Sequence, residues 1–153
     1  MAKKIIGFIA GYIAMAIFLF VTFTILYMIL GADGSFKPSS FHISTTWAVF
    51  SIILTFLGAI DGGLVCMLIA KHKGTVLVLA AFVLIVGISS AIPKISTTAV
   101  GSDQIRVGYV SNIQAMRNAI QPISVLLINP VISAVGIFLG GSLIKSRKKE
   151  DAA

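Results

Sequence analysis

Residues 44–71 read STTWAVFSIILTFLGAIDGGLVCMLIAK, a continuous apolar stretch that contains a single acidic residue, Asp61. Because about 20 apolar residues in a helix suffice to cross the hydrocarbon core of a bilayer, this stretch predicts a membrane span. An ionised carboxylate without a partner is costly at that depth. We therefore expect Asp61 to be either neutral and hydrogen-bonded or part of a functional path.

The small and polar residues of this stretch share one side of the predicted helix. At about 100° per residue, Gly58, Asp61 and Gly62 fall within one half of the circumference, and Ile60 and Leu64 fall on the other. Gly58 and Gly62 also form a G-x-x-x-G pair, which is typical of helices that pack closely in lipid. The pattern predicts that Asp61 points into a contact between helices.

The composition of the whole chain supports a membrane protein. Hydrophobic residues make up 58% of its 153 residues and charged residues 11%, against roughly 25% charged residues in soluble domains. The net charge of +7 comes from basic residues that flank apolar runs, which indicates membrane anchoring rather than a nucleic-acid partner. The single cysteine, Cys66, excludes an intramolecular disulfide and a cluster of thiolate metal ligands.

Three further apolar runs predict three more spans, so that the four spans cover residues 5–30, 44–70, 75–92 and 122–144. The first and last spans repeat the G-x-x-x-G spacing, and we expect helix packing through Gly7, Gly11, Gly136 and Gly140 as well as through Gly58 and Gly62. Pro130 is expected to kink the last span.

The ends of the third span and the segment after it are also predicted. Pro93 and Lys94 are expected to end the third span. Residues 103–121 predict an amphipathic helix, because apolar residues recur there at spacings of four, four, three and four, namely Ile105, Tyr109, Ile113, Met116 and Ile120. Ser102 is a candidate N-cap, and Asp103 suits the positive end of the helix dipole. This helix can lie in the membrane interface or cover the bundle as a lid, and its low positive charge favours the lid.

The distribution of basic residues predicts that both termini are cytoplasmic. Eight basic residues then lie inside and four outside, in agreement with the positive-inside rule. The inner set is Lys3, Lys4, Lys71, Lys73, Lys145, Arg147, Lys148 and Lys149, and the outer set is Lys37, Lys94, Arg106 and Arg117.

The predicted fold is a single all-α integral membrane domain over residues 1–153. It consists of an antiparallel bundle of four transmembrane helices, an amphipathic extracytoplasmic helix before the last span, and a basic cytoplasmic tail over 145–153. The layout resembles that of short four-span proteins of bacterial inner membranes, a likeness of topology that supplies no functional residue. It implies a location in the plasma membrane.

Polar side chains deep in the predicted spans are the candidates for function. Counting about 1.5 Å per residue from the basic flanks places Asp61 about 15 Å deep, with Tyr12 and Ser133 at a similar depth and Asn129 somewhat higher. The predicted spans contain no lysine, arginine or histidine. This chain therefore offers Asp61 no cation within the membrane.

Two functions of different classes agree with these residues. The first is a structural or accessory protein whose glycines bind helices of a second copy or of another membrane protein. The second is a small proton- or cation-coupled transporter or channel component that uses Asp61 near the kinked last span. We favour the first, because the spans hold no second ionisable group to relay a proton. An enzyme is disfavoured, because the chain has no Ser-His-Asp set and no histidine cluster, and the sequence predicts no metal or cofactor site.

Overall fold

The computed structural model describes residues 1–99, 105–106 and 110–144, and for residues 94–99 it describes the backbone alone. Its helices are α1 (Ala2–Ser35), α2 (Thr45–Ala70), α3 (Lys73–Ala99), α4 (Asn112–Asn118) and α5 (Ile123–Ser142). Four of them, all except α4, are long and apolar enough to cross a membrane. The prediction of an all-helical chain with four helices of membrane-spanning length is confirmed. The predicted helix start at Ser102 and Asp103, Tyr109 on its apolar face, and the tail over 145–153 lie outside the described residues.

Local sequence explains both ends of α2. The side-chain oxygen of Ser44 accepts a hydrogen bond from the backbone N–H of Trp47 at 3.1 Å, which is the usual arrangement of an N-cap serine. At the other end Lys71 adopts a left-handed conformation (φ 50°, ψ 30°), and α3 begins two residues later at Lys73. The chain therefore reverses between α2 and α3 over a very short basic turn.

The third long helix extends further than its sequence predicts. Pro93 was expected to end it, but α3 passes through Pro93 and continues to Ala99. A proline removes one backbone hydrogen bond and crowds the preceding turn, yet apolar membrane helices tolerate it where neighbouring groups satisfy the freed carbonyl. In α1, by contrast, Gly31 has φ 63° and ψ −175° and interrupts the helical conformation, directly after the predicted span end at residue 30.

The four long helices are arranged around α2. This helix packs against α1 on one side and α5 on another, and α5 in turn packs against α3. The contact between α1 and α3 is short and centres on Phe82, whose ring lies 5.3 Å from that of Phe8 and 5.7 Å from that of Tyr12. Leu79 and Ile137 are completely buried in the shared core. The short α1–α3 contact leaves a groove between these two helices.

A second hydrophobic cluster lies beyond one end of the bundle. We call the segments that build it the end cap, which consists of residues 31–44, 105–106 and 110–122. Isolated backbone bridges join Phe36 to Ile43, Ser40 to Ile105, and His42 to Ile120. The hydroxyl of Tyr27, near the end of α1, donates a hydrogen bond of 2.7 Å to the carbonyl of Val110. The end cap is therefore joined to the bundle through a buried tyrosine.

The segment predicted as an amphipathic helix over 103–121 is helical over Asn112–Asn118 in its described part. Nearer its start, the backbone N–H of Arg106 donates to the carbonyl of Ser39 at 3.2 Å, and the Arg106 guanidinium contacts Asp33 at 2.8 Å. These residues pair with a distant loop instead of continuing a helix. A four-residue periodicity reports only local structure and cannot predict such pairing.

The packed side of α4 also differs from the predicted one. Ile113 and Met116, on the predicted apolar face, are 71% and 46% exposed, whereas Ala115 is 3% exposed and belongs to the end-cap cluster. The helix therefore packs through its alanine side, because a small residue allows close approach to the aromatic rings of the cluster. Ile113 and Met116 of the predicted apolar face are thus left largely at the surface, whereas Ile120 packs against the end-cap cluster.

We expect Ala115→Asp to lower the melting temperature of the detergent-solubilised protein much more than Ile113→Asp. Both changes add one carboxylate to α4, but only the first places it among buried aromatic rings, where an unpaired charge is costly. Thermal unfolding followed by circular dichroism measures both shifts. Similar shifts for the two variants would contradict the observed orientation of α4.

Candidate functional site

A cleft between α1, α3 and α5 brings together three of the four predicted functional residues. It has a volume of about 270 Å³, and its polar lining consists of Tyr12, Ser90, Gln121, Asn129 and Ser133. Tyr12 and Ser133, which the sequence predicts at similar depths, and Asn129, which it predicts somewhat higher, therefore line one cleft. Asp61 does not line this cleft.

Pro130 and Gly87 fix the wall of the cleft between α3 and α5. A Cβ atom at Gly87 would lie 2.7 Å from Cγ of Pro130, so the pyrrolidine ring occupies the space left by the glycine. Pro130 has no N–H group to donate to the carbonyl of Leu126 one turn earlier, and both residues line the cleft. Helix α5 nevertheless continues through Pro130 from Ile123 to Ser142.

The two serine hydroxyl groups in the cleft are bonded within their own helices, but one amide oxygen is not. Ser133 donates to the backbone carbonyl of Asn129 at 2.8 Å, and Ser90 donates to that of Val86 at 2.7 Å. The side-chain oxygen Oδ1 of Asn129 is buried and has no hydrogen-bond partner among the described residues. Because a buried acceptor without a partner costs about 1–3 kcal/mol, the cleft is suited to a ligand or water that donates a hydrogen bond.

Asp61 lies at the edge of the α1–α2 contact, about 60° around α2 from Gly58, which packs against α1. It is partly exposed, and Leu57 and Leu68, within about 40° of it around the helix, are 46% and 51% exposed. Its carboxylate makes no hydrogen bond or ion pair with the described residues. The structure thus places Asp61 at the edge of this contact, whereas the sequence predicts a side chain that points into it.

The six predicted packing glycines all lie against neighbouring helices. Gly7, Gly11, Gly58 and Gly62 lie between α1 and α2, and Gly136 and Gly140 lie between α5 and α2. A Cβ atom at Gly11, for example, would lie 2.6 Å from the carbonyl oxygen of Gly62. These glycine surfaces are occupied within the bundle and are not free to bind another protein.

Glycines outside the three G-x-x-x-G pairs also make close contacts. Besides Gly87, a Cβ atom at Gly63 would overlap the backbone carbonyl of Ile137 on α5. Ala59 and Gly63 have the small-x-x-x-small spacing that also favours close packing, so this contact had a recognisable signal. It was hidden by the adjacent Gly58–Gly62 pair.

A metal centre is not visible in the described ranges, where no three His, Cys, Asp or Glu side chains come together. Comparison of the chain with protein-family models, with curated proteins and with solved structures gives no match. The inference of function therefore depends on the geometry of the cleft and of Asp61.

Proposed function

We propose that the four long helices cross the plasma membrane in alternating directions, with both termini in the cytoplasm and the end cap outside. The helix contacts support this arrangement. Gly7 lies against Ala70 and Gly58 against Phe18, so residue numbers rise along α1 as they fall along α2. The contact of Gly136 with Phe56, together with that of Gly140 with Ile60, indicates that α2 and α5 run in the same direction. Four spans that cross the membrane in alternating directions would place α1 antiparallel to α2, and α2 parallel to α5.

Reporter fusions test this topology. A reporter fused after residue 153 is expected to be active only in the cytoplasm, and one inserted in the loop 36–43 only outside it, because lysine and arginine are retained on the inner side. Activity of the C-terminal fusion outside the cytoplasm would contradict the proposal.

We further propose that the protein is an accessory protein that binds a transmembrane helix of another membrane protein. The observation that carries this proposal is the partly exposed Asp61 on an apolar outer surface. We call this surface the outer stripe, which consists of Leu54, Leu57, Asp61, Val65 and Leu68. Lipid cannot hydrogen-bond a carboxyl group, whereas a neighbouring helix can. A polar group of this kind at mid-membrane depth is by default functional.

The chemistry of Asp61 indicates what the partner helix carries. The predicted spans of this chain contain no lysine, arginine or histidine, so a second copy cannot supply an intramembrane cation. A helix of a different protein can supply a basic side chain about 15 Å from the membrane end marked by Lys71, counted at about 1.5 Å per residue. The glycines are already packed within the bundle, so the outer stripe is the proposed binding surface.

Site-specific photocrosslinking in native membranes tests this proposal. A photoreactive amino acid at Leu57 or at Leu68 is expected to capture one defined partner. The same amino acid at Ile85 of α3, which is 64% exposed, serves as the control. Equal capture at all three positions would indicate random collisions in the bilayer and would exclude a specific contact at the outer stripe.

The second candidate is a small transporter or channel component, and the cleft favours it. Asn129, whose side-chain oxygen Oδ1 is buried and unpaired among the described residues, lines a cavity together with Tyr12 and Ser133, near a proline in the helix. Asp61, however, is two positions from both Ala59 and Gly63, which face α5, and therefore lies about 160° around α2 from them. A path through both Asp61 and the cleft lacks support, so a transport function would use the cleft alone.

A further inference from the structure

The end of the bundle opposite the end cap contains a second cavity, of about 470 Å³, between the starts of α1 and α3. Lys4, His72 and Thr75 contribute its polar groups, and Ile5, Phe8 and Val78 its apolar floor. Neither the outer stripe nor the cleft includes any of these residues.

The polar groups of this cavity suit an anion. Thr75 is 7% exposed, and its hydroxyl makes no hydrogen bond to another described residue, so it is a nearly buried donor that faces the cavity without a protein acceptor. Lys4 lines the same cavity. Four lysines, Lys3, Lys4, Lys71 and Lys73, occur in the described chain at this end, and no acidic residue accompanies them there. A negatively charged group is therefore attracted to this site.

The floor of the cavity suits a hydrocarbon chain. Ile5 and Val78 are 60% and 59% exposed, and they lie on the two sides of the groove between α1 and α3. Phe8 and Phe82 are in edge-to-face contact 5.3 Å apart and close the groove deeper in the bundle. An acyl chain can lie along this groove with its headgroup at the membrane surface.

We propose that the cavity binds an anionic phospholipid. Its phosphate accepts hydrogen bonds from the Thr75 hydroxyl and the Lys4 ammonium, and one acyl chain lies along Ile5, Phe8 and Val78. A phosphate that is free in solution would need only the polar half of this site. The apolar floor and the position at the end of membrane-spanning helices assign it to a lipid. The proposal does not depend on a partner at the outer stripe.

Native mass spectrometry of the full chain, titrated with phosphatidylglycerol or phosphatidylcholine, tests this site. We expect phosphatidylglycerol to bind severalfold more tightly than phosphatidylcholine, because a basic residue near the surface contributes about 1 kcal/mol toward anionic lipid, or about fivefold in affinity. Lys4→Gln should remove that fivefold. Lys37→Gln makes the same charge change in the end cap, and we expect it to leave binding unchanged.

Thr75 provides a test that is independent of charge. Thr75→Val keeps the shape but lacks the donor and should weaken phosphatidylglycerol binding severalfold, whereas Thr75→Ser should retain it. Circular dichroism verifies that each variant keeps its helix content. If Thr75→Val does not fold, Lys4→Gln still tests the site, because it changes only an exposed side chain. Equal effects of Lys4→Gln and Lys37→Gln, or equal binding of the two lipids, would overturn the proposal. Glycerol phosphate binding as tightly as the lipid would overturn it in favour of a soluble phosphate ligand.

Discussion

Alanine at Gly63 or at Gly140 is expected to destabilise the bundle by about 3 kcal/mol or more, the upper end of the cost of overpacking. The two glycines form a reciprocal contact, in which a Cβ at Gly63 would overlap the carbonyl of Ile137 and one at Gly140 would overlap the carbonyl of Ile60. The obstructing atoms belong to helix backbones, which cannot rotate away as a side chain does. Helices α2 and α5 would have to separate, and packing is the main force that holds helices together in lipid.

Gly34→Ala is the matched control for these variants. It makes the same change near the end of α1, where the nearest atom is the Cβ of Leu30 in the same helix at 3.1 Å, and alanine has the higher helix propensity by about 1 kcal/mol. Unfolding by heat or by a denaturing detergent, together with size-exclusion profiles, compares the variants. If Gly63→Ala and Gly140→Ala unfold like Gly34→Ala, the close α2–α5 contact does not exist.

The length of the apolar runs predicts where the helices of this protein lie in the sequence, but it does not predict which helices pack against each other. The four long helices follow from the apolar runs of the sequence. The glycine pairs predict close contacts but carry no information on which helix comes close. Gly58 and Gly62 contact α1, whereas Gly63, one residue further, contacts α5. Only the assembled bundle distinguishes these two sides of α2.

The sequence predicts the depth of the candidate residues but does not predict the direction of their side chains. Counting residues from the basic flanks places Tyr12, Asn129 and Ser133 at related depths, and they meet in one cleft. The direction of the Asp61 side chain depends on an angle around the helix that is smaller than the half-circumference used to assign it. It lies about 60° around the helix from Gly58, which is enough to move a side chain from a helix contact to its exposed edge. A half-circumference is too coarse to resolve that difference.

Asp61→Leu is expected to reduce photocrosslinking at the outer stripe roughly tenfold and to leave the bundle as stable as before. The carboxylate makes no hydrogen bond to the described residues, so leucine removes no internal bond and matches its neighbours Leu57 and Leu68. Hydrogen bonds between helices contribute up to about 1–2 kcal/mol in membranes, and a charged partner contributes more. Asp61→Asn keeps a hydrogen-bonding group of nearly the same shape and should retain part of the capture.

The same two variants separate the accessory function from the alternatives. A large drop in melting temperature for Asp61→Leu, with unchanged capture, would show that the carboxyl group is an internal hydrogen-bond donor. Proton or cation flux in liposomes containing the purified protein, present in the unmodified chain and lost in a folded Asp61→Asn, would show that Asp61 is a carrier, since an amide cannot exchange a proton. Loss of capture in Asp61→Leu, with full stability and no flux dependent on Asp61, is the outcome that the partly exposed position of Asp61 predicts.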